Sequence, residues 1–311
     1  MDHLPKKIIK LGTRGSPLAL VQAHHVQALL QTVLPAYTIE IVPIQTTGDK
    51  DQRTPLSELG GKNVFIRELE TALQDHRIDL AVHSLKDVTS SMADGLILAG
   101  CLAPETNRDA WVALPGVLAP GPWQKSLPEG ARIGTGSARR RALLKAQRPD
   151  LQCLDLRGNV GTRLQHLNDR AFDAILLSEV GLRRLNIQGY EIRPIEDPDF
   201  LPAPGQGVIA MQARNDHPIL TAITAISDPI TTQISLWEWQ VLAAIGFDCR
   251  FPLGMETRVT APDTFTLSLF LAHPTGPETL RLTHHFTAQT AATILAKLES
   301  ELKAQVRDWT G

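Results

Sequence analysis

Short apolar runs that read as strands alternate with stretches of helical periodicity along the first two-thirds of the chain. That alternation restricts the fold more than any other feature. A strand–helix–strand succession buries its apolar faces by laying strands side by side in a sheet, with helices on both faces and right-handed crossovers. Two such series occur. In the first, Ile8–Thr13 and Ile39–Thr46 are expected strands, and Ser16 and Pro17 open a helix that reaches Leu34 ahead of Pro35. Val64–His76 has helical spacing, and Asp79–His83 and Leu96–Leu102 are further strands. In the second, strands are expected at Ala110–Leu114, Arg132–Thr135, Leu151–Leu156 and Ala174–Leu177, with helices at Ser137–Arg148, Val160–Arg170 and Val180–Leu185. Thr47–Asn63 is a long polar loop, and Leu114–Pro128 is a surface loop rich in Pro and Gly. Leu201–Gly207 reads as a crossing between domains, after which Val208–Ala213 can return to the first sheet. From Asp228 the pattern changes to a helix at Thr231–Ile245, antiparallel-type strands at Arg258–Leu271 and Thr279–Phe286, and a last helix at Thr290–Val306.

A chain of 311 residues is too long for one ordinary core. The expected domains are 1–102 with 206–226, then 107–202, then a smaller α+β domain at 228–311. A net charge of −2 argues against a general nucleic-acid binder, which carries a basic face. The three cysteines, Cys101, Cys153 and Cys249, include no Cys-x-x-Cys pair, so neither a disulfide framework nor a zinc site is signalled, and a reducing cytoplasm fits. The histidines form no metal-binding pattern. Met1–Lys10 lacks the apolar run of a signal peptide, and no segment approaches the ~20 apolar residues of a membrane span.

Arginine recurs where strands run into helices: Gly12-Thr13-Arg14-Gly15-Ser16, Gly134-Thr135-Gly136-Ser137-Ala138-Arg139-Arg140-Arg141, and Arg157-Gly158-Asn159 followed by Arg163. A helix N-terminus presents unpaired N–H groups and partial positive charge, and guanidinium beside it favours carboxylate or phosphate. Several such junctions imply a ligand with many negative groups. Taken singly, each of Arg14, Arg139, Arg140, Arg157, Arg163 and Arg184 reads as a solvated side chain or surface ion pair, and it is their clustering at the junctions that points to anion contacts. Ser16, Thr135 and Ser137 are readable as plain caps. Asp87, beside Lys86 at the end of a strand, is a helix cap, a surface ion pair, or a carboxylate that meets a cationic or N–H-bearing ligand. Cys249, between Asp248 and Arg250, is either a reactive or a buried thiol, whereas Cys101 and Cys153 read as core thiols.

Taken together these segments resemble hydroxymethylbilane synthases, also called porphobilinogen deaminases. The matching stretches are Gly12-Thr13-Arg14 with Ser16-Pro17-Leu18-Ala19, Thr47-Gly48-Asp49, Phe65-Ile66-Arg67-Glu68-Leu69-Glu70, and Val82-His83-Ser84-Leu85-Lys86-Asp87-Val88. Ser137-Ala138-Arg139-Arg140, Leu156-Arg157-Gly158-Asn159 with Thr162-Arg163-Leu164, and Gly205-Gln206-Gly207 complete the series. The resemblance implies an α/β fold. Two doubly wound domains of periplasmic-binding-protein-like topology would form a cleft, with a smaller C-terminal α+β domain beyond them.

It also implies a cytoplasmic, monomeric transferase of tetrapyrrole biosynthesis, with no nucleic-acid or membrane partner and no metal. Such an enzyme condenses four porphobilinogen units with loss of ammonia and releases linear hydroxymethylbilane. A covalent dipyrromethane cofactor would be held as a thioether on Cys249, with Asp87 catalytic. Arg14, Arg139, Arg140, Arg157, Arg163 and Arg184 would bind the acetate and propionate groups, assisted by Ser16, Lys62, Ser84, Lys86, Thr135, Ser137 and Gln206. The Thr47–Asn63 loop resembles the family's active-site lid. Departures from the family pattern are Phe247 and Asp248 for two glycines, Gly136 for serine, Trp239 for arginine, Arg67 for lysine, and Thr89 and Asn107 for prolines. Glu179 also stands where a small or neutral residue is usual. Alternative readings are a diverged, less active paralogue, or a non-enzymatic anion binder of solute-binding architecture.

Overall fold

A computed structural model of the chain describes residues 7–46, 66–89, 91–244 and 252–310. In chain order the elements are β1 (Lys7–Arg14), α1 (Pro17–Val33), β2 (Tyr37–Ile44), α2 (Arg67–Gln74), β3 (Leu80–Ser84), β4 (Leu96–Cys101) and β5 (Asp109–Ala113). Next come β6 (Arg132–Gly134), α3 (Ala138–Gln147), β7 (Gln152–Leu154), α4 (Val160–Asn168), β8 (Ala174–Ser178), α5 (Glu179–Arg184) and β9 (Glu191–Pro194). The remainder is β10 (Ile209–Arg214), α6 (Leu220–Ile226), α7 (Pro229–Ala244), β11 (Leu253–Ala261), β12 (Thr264–Ala272), β13 (Thr279–Phe286) and α8 (Ala291–Thr310). The chain forms two compact units, Met1–Glu105 with Gly207–Trp239, and Thr106–Gln206 with Gln240–Gly311.

The first unit is built on a five-stranded sheet in the order β2-β1-β3-β10-β4. β1 lies parallel to β2 and β3, while β10 runs antiparallel between β3 and β4. Its apolar core includes Leu11 of β1, Val26 and Leu30 of α1, Leu80 of β3 and Met211 of β10, all at or near zero exposure. β3 and β10 are buried along almost their whole length because both of their faces are covered, and the polar His83 and Gln212 are buried with the rest. α1 begins where expected: Ser16 caps it by accepting the Ala19 N–H at 3.4 Å, and Pro17 occupies a first-turn position that needs no donor.

The second unit repeats the plan with β7-β6-β8-β5-β9. β6 is parallel to β7 and β8, and β5 is the antiparallel insertion between β8 and β9. Both sheets therefore follow one scheme. A three-strand parallel series is joined to a fourth strand through an antiparallel strand supplied from elsewhere in the chain, which is the periplasmic-binding-protein-like arrangement. The same unit holds the β11-β12-β13 antiparallel sheet. Phe270 and Ala272 of β12 enter the core formed by Trp111, Ile133, Leu143 and Phe200.

Three local features differ from expectation. Arg258–Leu271 is two strands, broken at Pro262-Asp263, where Asp263 takes a left-handed φ of 55° that aspartate tolerates in turns. β9 (Glu-Ile-Arg-Pro) has no alternating apolar pattern. It is a half-buried edge strand, where its proline costs no ladder bond. Cys153 is half-buried, because β7 is the other edge of that sheet. By contrast Cys101 is buried, and that burial pushes its thiol up to about 12.

Candidate active site

In open α/β sheets ligands meet the carboxyl ends of the parallel strands. In the first unit, β1 ends at Arg14 and its parallel neighbour β3 ends at Ser84, so both termini share one sheet edge. Gln22 Nε2 donates to Ser84 Oγ at 2.9 Å, and Ser84 Oγ donates to Gln22 Oε1 at 3.1 Å. A single 3₁₀ turn, Leu85–Asp87, follows. Its register is fixed by Leu85 N–H donating to the Val208 carbonyl at 3.0 Å. The turn buries Leu85 and leaves Lys86 and Asp87 half-exposed at the edge. His83, the buried β3 residue just before Ser84, lies in the fields of both Asp87 and Arg14.

In the second unit β7, β6 and β8 are contiguous and parallel, so their carboxyl ends form a row. Thr135, Ser137, Arg139 and Arg140 follow β6, Arg157 follows β7 with Arg163 in α4, and Arg184 closes α5 after β8. Thr135 is fully buried, and its Oγ1 accepts the Ser137 N–H at 3.2 Å. Ser137 caps α3 by accepting the Arg140 N–H, so the capping reading holds for it as it does for Ser16. Arg163 Nε donates to the Gly158 carbonyl at 2.7 Å, and Arg157 and Arg184 are half-buried. Gln206 is buried and donates to the Asn107 carbonyl at 2.6 Å and to Asp109 Oδ1 at 2.9 Å. Lys62, Cys249, Phe247, Asp248 and the Thr47–Asn63 loop lie outside the described residues.

Arg139 and Arg140 are placed differently from a solvent-facing pair. Both are buried, and both reach the fully buried carboxylate of Asp109. They are consecutive on α3, yet their long side chains converge on Asp109, while Arg141 turns away to the Thr135 carbonyl and Asp155. Burial pushes Asp109 up, but the two guanidinium groups and the Gln206 amide outweigh it and hold the carboxyl well below the usual carboxylate range. Two guanidinium charges against one carboxylate leave a buried surplus of one positive charge. Arg139 Nε has no hydrogen-bond partner among the described residues. Such a cluster suits a carboxylate-bearing group, as each pyrrole of a dipyrromethane would supply.

Glu179 is also resolved. Its buried carboxylate takes Arg108 Nε at 2.9 Å, Thr106 Oγ1 at 2.9 Å and Arg183 Nη2 at 2.5 Å. Burial would raise its pKa, but these donors outweigh that and lower it. Trp239 is buried in α7. Sequence reasoning passed over Asp109 because the expected strand began at Ala110. The available signal was an acidic residue opening an otherwise wholly apolar strand.

Comparison with known proteins decides the lineage. The family model described as porphobilinogen deaminase, dipyromethane cofactor binding domain, matches residues 9–222. The porphobilinogen deaminase of Acidithiobacillus ferrooxidans is 41% identical over 273 residues, covering 88% of this chain and 87% of that protein. The chain belongs to the porphobilinogen deaminase family. The Chromobacterium violaceum enzyme is 42% identical across 86% of this chain and 85% of its own length, and that of Dichelobacter nodosus 44% identical across 79% of each. A periplasmic binding protein of Salmonella typhimurium with high arginine specificity matches at 14% identity and a TM-score of 0.39, over 73% of this chain and 97% of that one. No helix among the described residues is long and apolar enough to cross a membrane, and these residues hold no cluster of metal-ligating side chains.

Proposed function

We propose that this porphobilinogen deaminase family member is a hydroxymethylbilane synthase. It is a transferase that joins four porphobilinogen units head to tail, releases ammonia at each step and frees the linear product by hydrolysis. The observation that carries this reading is the row of arginine-bearing strand ends, with its buried surplus positive charge. A growing pyrrole chain adds two carboxylates per unit, and few other small substrates call for so many cations along one edge.

A dipyrromethane held as a thioether on Cys249 supplies, when bound, the pyrrole terminus to which substrate is joined. Arg139, Arg140, Arg157, Arg163 and Arg184 hold acetate and propionate groups, with Thr135, Ser137 and Gln206 shaping the anion loops. Arg14, Ser16, Ser84 and Lys86 serve the same task beside Asp87, and Lys62 joins them. Asp87 accepts pyrrole N–H groups and stabilises the positive charge that develops on the substrate ring as ammonia leaves. Its half-exposed position at the end of a fixed 3₁₀ turn supports that role. The unpaired thiols of Cys101 and Cys153 support a reducing, cytoplasmic setting, and the protein works as a monomer.

Asp87→Ala tests the assignment. Bilane formation should fall ~10²–10³-fold, the range for removing one transition-state charge stabiliser. The thermal melt should stay unchanged, because no core residue is touched. Near-normal turnover would reject the role given to Asp87.

A further inference from the structure

Asp109 opens β5, and the register pairs it with Ser178, the last residue of β8. An antiparallel strand entering the sheet there brings its first residue to the edge where the parallel strands end. Asp109 therefore sits under the anion loops, and its side chain is sealed from solvent. Its Oδ1 accepts from Arg140 Nη2 at 2.7 Å, Arg140 Nε at 3.1 Å and Gln206 Nε2 at 2.9 Å. Its Oδ2 lies 2.8 Å from Arg139 Nη2. Each guanidinium has a second tie on the far side: Arg139 Nη1 donates to the Leu201 carbonyl at 2.7 Å, and Arg140 Nη1 to the Leu176 carbonyl at 2.9 Å. One carboxylate thus orients three donor side chains, and the backbone carbonyls stop them from swinging.

A buried carboxylate with one arginine would be a neutral structural pair. Here a second arginine makes the cluster net positive. An unbalanced buried charge is costly unless something completes it. The orphan Nε of Arg139, nine-tenths buried, marks where the hydrogen bonding is incomplete.

We propose that Asp109 is a positioning residue for the reaction: it locks Arg139, Arg140 and Gln206 into one rigid array whose surplus positive charge receives a pyrrole carboxylate. This rests on the hydroxymethylbilane synthase reading. The array is made in advance, so the ligand does not bear the cost of ordering long arginine side chains.

Two variants separate positioning from charge balance. Asp109→Asn keeps the shape and removes the charge, while Asp109→Glu keeps the charge and moves the carboxylate by about one methylene. Each is compared with wild type by thermal melt, by intact mass for covalently carried pyrrole, and by KM and kcat for porphobilinogen. The expected result is a cooperative melt for at least one variant, with KM raised ~10-fold or more and a smaller change in kcat. That factor corresponds to one charge-assisted hydrogen bond misplaced. The fraction of chains carrying pyrrole mass should fall in parallel. A cooperatively folded Asp109→Glu with wild-type KM and wild-type pyrrole load overturns the proposal. So does failure of both variants to fold, which would make Asp109 a folding residue. A wild-type protein that neither carries pyrrole nor consumes porphobilinogen would instead sink the functional reading beneath it.

Discussion

Acid should destabilise the first unit through His83. This imidazole lies on β3, the strand that delivers Asp87, at 5% exposure. Its Nε2 is 3.0 Å from Gln212 Oε1, and Gln212 Nε2 donates to Glu70 Oε1 at 2.8 Å. The Glu70 carboxylate can only accept, so it fixes which way the Gln212 amide points and leaves the amide oxygen facing the ring. The proton of neutral His83 is therefore assigned to Nε2. Burial pushes the His83 pKa down to about 4, against smaller upward pulls from Gln212 and Asp87. In the unfolded chain an ordinary histidine titrates near ~6.5. Between these values the unfolded state binds a proton that the folded state refuses. Stability is thus full above about pH 6.5 and declines as pH falls toward 4. At ~1.36 kcal/mol per pH unit, the loss is ~3 kcal/mol. His83→Gln keeps an amide donor for Gln212 and removes the titration. Urea denaturation at pH 7 and at pH 4 gives the unfolding free energy of each protein. Subtracting the two pH differences cancels contributions from other groups, Asp109 included. Wild type should lose ~3 kcal/mol more than the variant. Equal losses would refute both the neutral, buried assignment and the sign.

Two substitutions probe departures from the family pattern. A Cβ at Gly136 would lie 2.8 Å from the Leu156 carbonyl oxygen, a backbone atom, so Gly136→Ser should destabilise the protein by ~1–3 kcal/mol in a denaturant titration. It should also disturb Arg157, the residue after Leu156; an unchanged midpoint would mean the loop relaxes freely. Glu179→Ala strips the buried counter-ion from Arg108 and Arg183. Both arginines are more than a third exposed, so screening limits the cost to ~2 kcal/mol, read as a lower melting temperature that high salt partly erases.

Much of this arrangement was legible in the sequence because its signals are local. Ser16-Pro17 marks a helix start by capping chemistry alone, and Val208–Ala213 was recognisable as a strand that returns to the first sheet. The arginine junctions could be seen because a strand end, a glycine turn and a helix start lie adjacent in sequence. Asp109 could not be read in the same way. Its partners Arg139, Arg140 and Gln206 are 30 or more positions away, and only the insertion of β5 beside β8 brings them together. The Glu70–Gln212–His83 chain was hidden for the same reason, being assembled across α2, β10 and β3. The break in Arg258–Leu271 was missed despite Pro262-Asp263, because apolar alternation continues through the hairpin on both sides.

The central claim is a covalently primed pyrrole polymerase, and the intact mass of the purified protein addresses it most directly. Expressed with porphobilinogen available, the protein should weigh more than its chain by one dipyrromethane and turn pink with Ehrlich's reagent. Cys249→Ala should return to the bare chain mass. An unmodified wild-type mass with no colour, or an adduct that survives in Cys249→Ala, would contradict the account.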